Sequence, residues 1–139
     1  MYQHIVLAAD GSENALRAAQ EAVKIAQFSV NSVEDIVYVA SFDNARADRL
    51  HSASPDSLLL ERRRKVAAVE QLIKEQGISY KVTILKGEPA PEIIQYVNAN
   101  NVDLVIIGSR GLNGLQEMVL GSVSHKVMKR VNCPALIVK

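Results

Sequence analysis

Tryptophan is absent from this chain, and four tyrosines and two phenylalanines are its only aromatic residues. So few rings leave no stacking platform for bases or sugars. Cysteine occurs once, at Cys133. A single thiol cannot form an internal bridge, which excludes a disulfide scaffold and a zinc site built on several thiolates, and it points to a reducing cytoplasm. An excess of either charge is also missing, because 16 basic residues face 15 acidic ones for a net charge of +1. Without a basic surplus nothing draws the chain to a nucleic-acid backbone, so nucleic acid is not an expected partner. No apolar run approaches the roughly 20 residues of a membrane span. Met1 to Asp10 carries no cationic region before its short apolar run and therefore does not read as a signal peptide.

What is present is one domain's worth of chain: 139 residues, 48% hydrophobic, enough to bury a core unaided. Residues 1–139 are read as a single domain with no repeat or low-complexity tract. Five apolar runs of strand length recur, His4 to Ala9, Asp35 to Ser41, Ser79 to Leu85, Val102 to Ile107 and Ala135 to Val138. Helical patterns separate them, and that alternation predicts an α/β fold with a parallel sheet. Three runs are nearly continuous Val, Ile and Leu, as in strands covered on both faces, whereas Tyr80 to Leu85 alternates and is expected nearer an edge.

Ala15, Ala18, Ala19, Ala22, Val23 and Ala26 share one helical face, with Ser12 as N-cap. Leu59, Val66, Val69, Leu72 and Ile73 follow the same spacing up to a stop at Gly77, and Arg62, Arg63, Arg64 and Lys65 on this helix read as a solvated face. Pro89 and Pro91 suit the first turn of a helix through Ile93, Ile94 and Val97. A last helix is expected from Ser122 to Arg130, with Val123, Val127 and Val131 as its buried stripe. Phe42 to Ser57 shows no periodicity and is expected to be a long, mobile connection.

In an open parallel sheet, ligands bind beyond the carboxyl ends of the strands. Those ends carry Ala8-Ala9-Asp10-Gly11-Ser12, Val39-Ala40-Ser41 and Gly108-Ser109-Arg110-Gly111. Gly108, Gly111, Gly114 and Gly121 are four of seven glycines, gathered within fourteen positions. Glycine lets backbone N–H groups approach a phosphate, and the helix start at Ser122, Val123 and Ser124 adds the unpaired amides of a positive helix end. Arg110 supplies a cation. A Walker motif is excluded because no Gly-Lys pair is followed by Ser or Thr, and the spacing G-x-x-G-x-x-G is not the dinucleotide fingerprint. A receiver domain would need a phosphorylatable Asp where the third strand ends in Leu85-Lys86-Gly87.

Gly108-x2-Gly111-x9-Gly121-Ser122, with Asp10-Gly11-Ser12 after the first strand and Cys133-Pro134 before the last, resembles the ATP-binding branch of the universal stress protein family over essentially the whole chain. The resemblance implies a five-stranded parallel sheet of order 3-2-1-4-5 with helices on both faces, of the adenine nucleotide α-hydrolase-like type. It implies a homodimer through the C-terminal strand and ATP, or ADP or AMP, at the strand ends, with Mg²⁺ or Mn²⁺ carried by the phosphates. Carried over by position, Ala8, Ala9 and Asp10 border the nucleoside, and the Val39 backbone meets the adenine edge. Gly108 lies under the ribose, Ser109 counts among the nucleotide-binding residues, Arg110 takes the variable basic position, and Gly111, Gly121, Ser122, Val123 and Ser124 hold phosphates. Ala8 departs from the proline common in the family. The role so implied is that of a nucleotide-dependent stress sensor acting on an unknown downstream protein. A weak ATPase or autophosphorylating enzyme using the same pocket is the alternative, although no general base is evident beside Ser122 or Ser124.

His4, His51 and His125 are too scattered to form a metal site, and His125 alone lies near the expected phosphate helix. Cys133, before Pro134 and a buried strand, reads as a small core residue rather than a nucleophile.

Overall fold

The computed structural model describes residues 2–40, 55–110 and 121–139. Its elements are β1 (His4–Ala8), α1 (Glu13–Ala26), β2 (Val33–Ala40), α2 (Pro55–Glu75), β3 (Tyr80–Lys86), α3 (Pro89–Ala99), β4 (Leu104–Gly108), α4 (Ser122–Arg130) and β5 (Ala135–Val138). The five strands form one parallel sheet in the order β3-β2-β1-β4-β5, as the α/β alternation and the family resemblance implied. The three apolar runs β1, β2 and β4 take the middle, and the alternating β3 lies at an edge. Each middle strand is shielded on both faces by side chains of the helices, which is why its sequence has no polar phase.

One core layer packs Ile5, Leu7, Ile36 and Ile106 under α1 and α2, where Ala18, Ala19 and Ala22 let α1 approach the sheet closely. Val66, Val69 and Ile73 of α2 are buried in the same layer. The other layer packs Val6, Val37, Val105 and Ile107 under α3 and α4, against Ile93, Val97 and Val127. Helix starts follow the expected chemistry. Ser12 caps α1 by accepting from the Ala15 amide at 3.2 Å, and α3 carries its prolines in the first turn, where a missing N–H costs nothing. α4 spans the expected Ser122–Arg130, with Val127 fully buried and Val123 and Val131 half-buried.

Several boundaries differ from the expectation: β1 ends at Ala8 rather than Ala9, β3 runs Tyr80–Lys86 rather than Ser79–Leu85, and β4 runs Leu104–Gly108 rather than Val102–Ile107. Two further differences have a visible cause. β2 begins at Val33, two residues earlier than the apolar run, because Glu34 and Asp35 are both inside the protein with 0% exposure and continue the strand despite their charge. α2 begins at Pro55, so Pro55 to Ser57 belong to a helix rather than to the connection; proline's fixed φ suits a first helical turn. The rest of that connection, residues 42–54, lies outside the described residues, as do Ser41 at the expected end of the second run and the Leu59, Arg62, Arg63 and Lys65 side chains; Arg64 is exposed. No helix among the described residues is long and apolar enough to cross a membrane.

Candidate functional site

The chain winds outward from β1 through β2 to β3, then returns to the other side of β1 to lay down β4 and β5. That reversal puts a crevice at the carboxyl ends of β1 and β4, which pair directly through Ile5 with Leu104, Val6 with Val105 and Leu7 with Ile106. The first and fourth strand ends, carrying Ala8-Ala9-Asp10 and Gly108-Ser109-Arg110, are therefore brought together.

On the β1 side, Ala8 and Ala9 are buried at 8% and 4% exposure. The Ala9 amide donates to the Val37 carbonyl at 2.9 Å and ties the strand exit to β2. Asp10 is half-buried, and its Oδ1 accepts from the Ser12 amide at 2.9 Å, so the carboxylate holds the turn that leads to the α1 cap. β2 outruns β1: the last pair is Ala8 with Val37, while β2 continues to Ala40. Val37 turns its carbonyl toward β1, and strand alternation turns the N–H and C=O of Val39 to the same side, beyond the end of β1.

On the β4 side Ser109 is a junction. Its amide donates to the Val138 carbonyl at 2.7 Å, and its carbonyl accepts from the Gly121 amide at 2.7 Å and from Ser124 Oγ at 2.9 Å. These bonds dock the start of α4 onto the end of β4. Gly121 is the N-cap of α4 and offers no side chain; a Cβ there would stand 3.2 Å from the Ser109 carbonyl oxygen, so glycine permits the docking. The first-turn amides of Ser122, Val123 and Ser124 have no acceptor within the helix, and no acidic residue stands in that turn. The result is a positive helix end with three donors that no acceptor within the helix takes up, an arrangement suited to an anion. Arg110 is half-buried beside it, and His125 is exposed one residue beyond the turn.

Two of the expected site residues also carry structural roles. Gly108 is glycine because of α1: a Cβ there would lie 2.8 Å from Asn14 Cβ and 3.1 Å from its backbone. Ser124 is 2% exposed and its hydroxyl donates to the Ser109 and Gly121 carbonyls, so the side chain belongs to the frame and only the backbone amide remains for a phosphate. Gly111 and Gly114 lie outside the described residues. Cys133 packs against the second core layer, and burial pushes its thiol up, away from the reactive thiolate.

With this geometry in place the comparisons are decisive. A profile of the universal stress protein family matches residues 1–139. The chain belongs to that family. Universal stress protein MJ0531 of Methanocaldococcus jannaschii is 33% identical over 141 residues, covering 100% of this chain and 83% of the relative. The solved structure of MJ0577 from the same organism superposes with a TM-score of 0.85 at 27% identity, over 100% of this chain and 96% of that one. A universal stress protein solved in complex with cAMP superposes with a TM-score of 0.72 at 25% identity, over 99% of this chain and 96% of that one.

Sequence reasoning missed three features of this universal stress protein. Asn14 is buried and its Nδ2 donates to Ser109 Oγ at 3.4 Å. It stands one turn ahead of Ala18 and Ala22, so the helical period already placed it on the buried face. Arg17 reaches from α1 to the Lys139 carbonyl. At the opposite end of the sheet from the crevice, Asp35 is surrounded by Thr83 Oγ1 at 2.7 Å, His4 Nε2 at 3.0 Å, Lys81 Nζ at 3.7 Å and the Tyr96 hydroxyl. Burial, with the hydrogen bond to Asp35, pushes the Tyr96 phenol up. Both nitrogens of His4 are engaged, Nδ1 lying 3.2 Å from the Asn100 carbonyl, so this cluster braces β1, β2, β3 and α3. The signal available was the acidic pair Glu34-Asp35 at the head of an apolar run.

Proposed function

We propose that this universal stress protein binds an adenine nucleotide, ATP in the first instance, at the crevice between β1 and β4, and that occupancy of the site is what a downstream protein reads. The single observation that carries the proposal is the docking of α4 on Ser109. It sets the first-turn amides of Ser122, Val123 and Ser124, which have no acceptor within the helix, at the end of β4, where the sheet already opens its ligand crevice. Asp10 at the end of β1, the outward-turned backbone of Val39 and the Arg110 cation supply partners for a nucleoside and its outer phosphates. The cAMP complex of a relative at 25% identity supports a nucleotide of this class. Among the described residues no group of His, Cys, Asp and Glu forms a cage for a metal. Mg²⁺ or Mn²⁺ would arrive with the phosphates, whose charge it would offset, and Asp10, at the end of β1, stands at the crevice.

The same reading places the protein in the cytoplasm as a homodimer. β5 closes one edge of the sheet, is apolar and half-buried throughout, and a second copy laid along it would satisfy that edge.

Calorimetry of the purified protein with ATP, ADP and AMP, beside Gly121→Val and Asp10→Ala, tests the site. A branched side chain at position 121 would push the start of α4 off Ser109, so ATP binding is expected to fall at least tenfold in Gly121→Val, in line with the loss of about 1.4 kcal/mol or more of charge-assisted hydrogen bonding. Unchanged affinity in both variants would place the nucleotide elsewhere. Steady phosphate release in the same samples, lost in Gly121→Val, would convert the reading to a slow ATPase.

A further inference from the structure

We infer that Asn14 and Arg17 form a clamp that joins the carboxyl end of β5 to Ser109, so that nucleotide occupancy and the order of the edge strand are linked. The inference rests on the nucleotide reading for its ligand, but the clamp itself is a set of contacts. Arg17 Nε donates to the Lys139 carbonyl at 3.0 Å, immediately after β5. The same guanidinium donates through its other arm to Asn14 Oδ1. Asn14 Nδ2 in turn donates to Ser109 Oγ at 3.4 Å. Ser109 closes the circuit, since its amide holds the Val138 carbonyl at 2.7 Å and its carbonyl holds the start of α4. One α1 turn thus fastens the last residues of the edge strand, the end of β4 and the frame of the anion-binding helix.

The chemistry of each member fits the role. A buried amide such as Asn14 needs partners for both of its ends, and Ser109 and Arg17 supply one each. Arginine presents donors in two directions from one rigid plane, whereas a lysine ammonium on the same stem can address one acceptor well but not both. Gly108 lets α1 come close enough for Asn14 to reach. A ligand that draws Ser109 and the α4 amides into one arrangement must favour the matching arrangement of Val138 and Lys139. By reciprocity, ordering the β5 edge must favour the ligand. Asn14 and Arg17 are positioning residues in this scheme, and neither needs to touch the nucleotide.

The test is amide hydrogen exchange on the full chain, with and without saturating ATP, in the wild type, Arg17→Ala, Arg17→Lys and the exposed control Gln20→Ala. Without ligand, Arg17→Ala and Arg17→Lys are expected to exchange about fivefold faster than the wild type in residues 105–110 and 135–139, the size of effect a lost hydrogen bond gives. Gln20→Ala is expected to match the wild type. With ATP, the wild type is expected to slow in both segments and Arg17→Ala only in residues 105–110. Wild-type exchange in unliganded Arg17→Ala would overturn the clamp. Full retention of both responses in Arg17→Lys would overturn it too, because positive charge alone would then suffice. If calorimetry shows that the wild type binds no ATP, the nucleotide reading and its linkage to β5 fall together, and the unliganded comparison still decides the contacts.

Discussion

Glu34 offers a sharp test of how this fold tolerates charge. It occupies β2 opposite Tyr80 of β3 and Ile5 of β1, with 0% exposure, and neither carboxyl oxygen has a hydrogen-bond partner among the described residues. Desolvation pushes its pKa from 4.5 up to about 8. The folded protein therefore holds this proton more tightly than the unfolded chain. Below about pH 4.5 both states are protonated and the folded state is undiminished. Above it the unfolded chain ionises alone, and stability drains away until Glu34 itself ionises near pH 8. With each tenfold change in proton affinity worth about 1.4 kcal/mol, the wild type should lose about 3 kcal/mol between pH 5 and pH 8 through this one group. Glu34→Gln keeps the shape and cannot titrate. Urea denaturation of both proteins at half-unit steps across that range should show their difference in unfolding free energy falling steadily against the wild type as pH rises. Two parallel curves would refute the reasoning, because Glu34 would then titrate alike folded and unfolded.

Other perturbations follow from the same contacts. Gly108→Ala forces a Cβ against Asn14 and should cost about 1–3 kcal/mol of overpacking, read in urea midpoints, and should accelerate exchange at Ser109. Ser12→Ala removes the α1 cap and should cost about 1 kcal/mol in the same assay with the slope unchanged. Asp103 accepts from the His4 and Gln3 amides, which hold its carboxyl below the usual range. The stability it supplies is present at neutral pH and lost as pH falls through its own pKa, so Asp103→Ala should flatten the acid limb of the wild-type stability profile.

How much of this was legible in the chain depends on whether the signal was local. Strands β1 and β4 and the Ile36 to Ala40 part of β2 announced themselves as apolar runs, since cover on both faces removes any alternation, and Ser12, Pro89 and Gly121 marked helix starts because capping is a matter of adjacent residues. The candidate site was legible as strand ends and a cluster of glycines, and the resemblance ordered the sheet. Gly108 shows the limit of such reading. Glycine reports a close approach without saying what approaches, and here it is α1.

Sequence by itself determined the periodicities and the caps, because each depends on side chains within a turn or two of one another, whereas the crevice exists only because β1 and β4, about 100 positions apart, pair side by side. Tertiary structure alone decided which distant groups share protons and space. Glu34 and Asp35 are neighbours in sequence, yet strand alternation sends them into opposite layers. One finds no hydrogen-bond partner among the described residues, while the other meets His4, Thr83 and Tyr96. The bond from Arg17 to Lys139 spans 122 positions, and no pattern along a chain encodes a contact that exists only once the sheet has closed between its two ends.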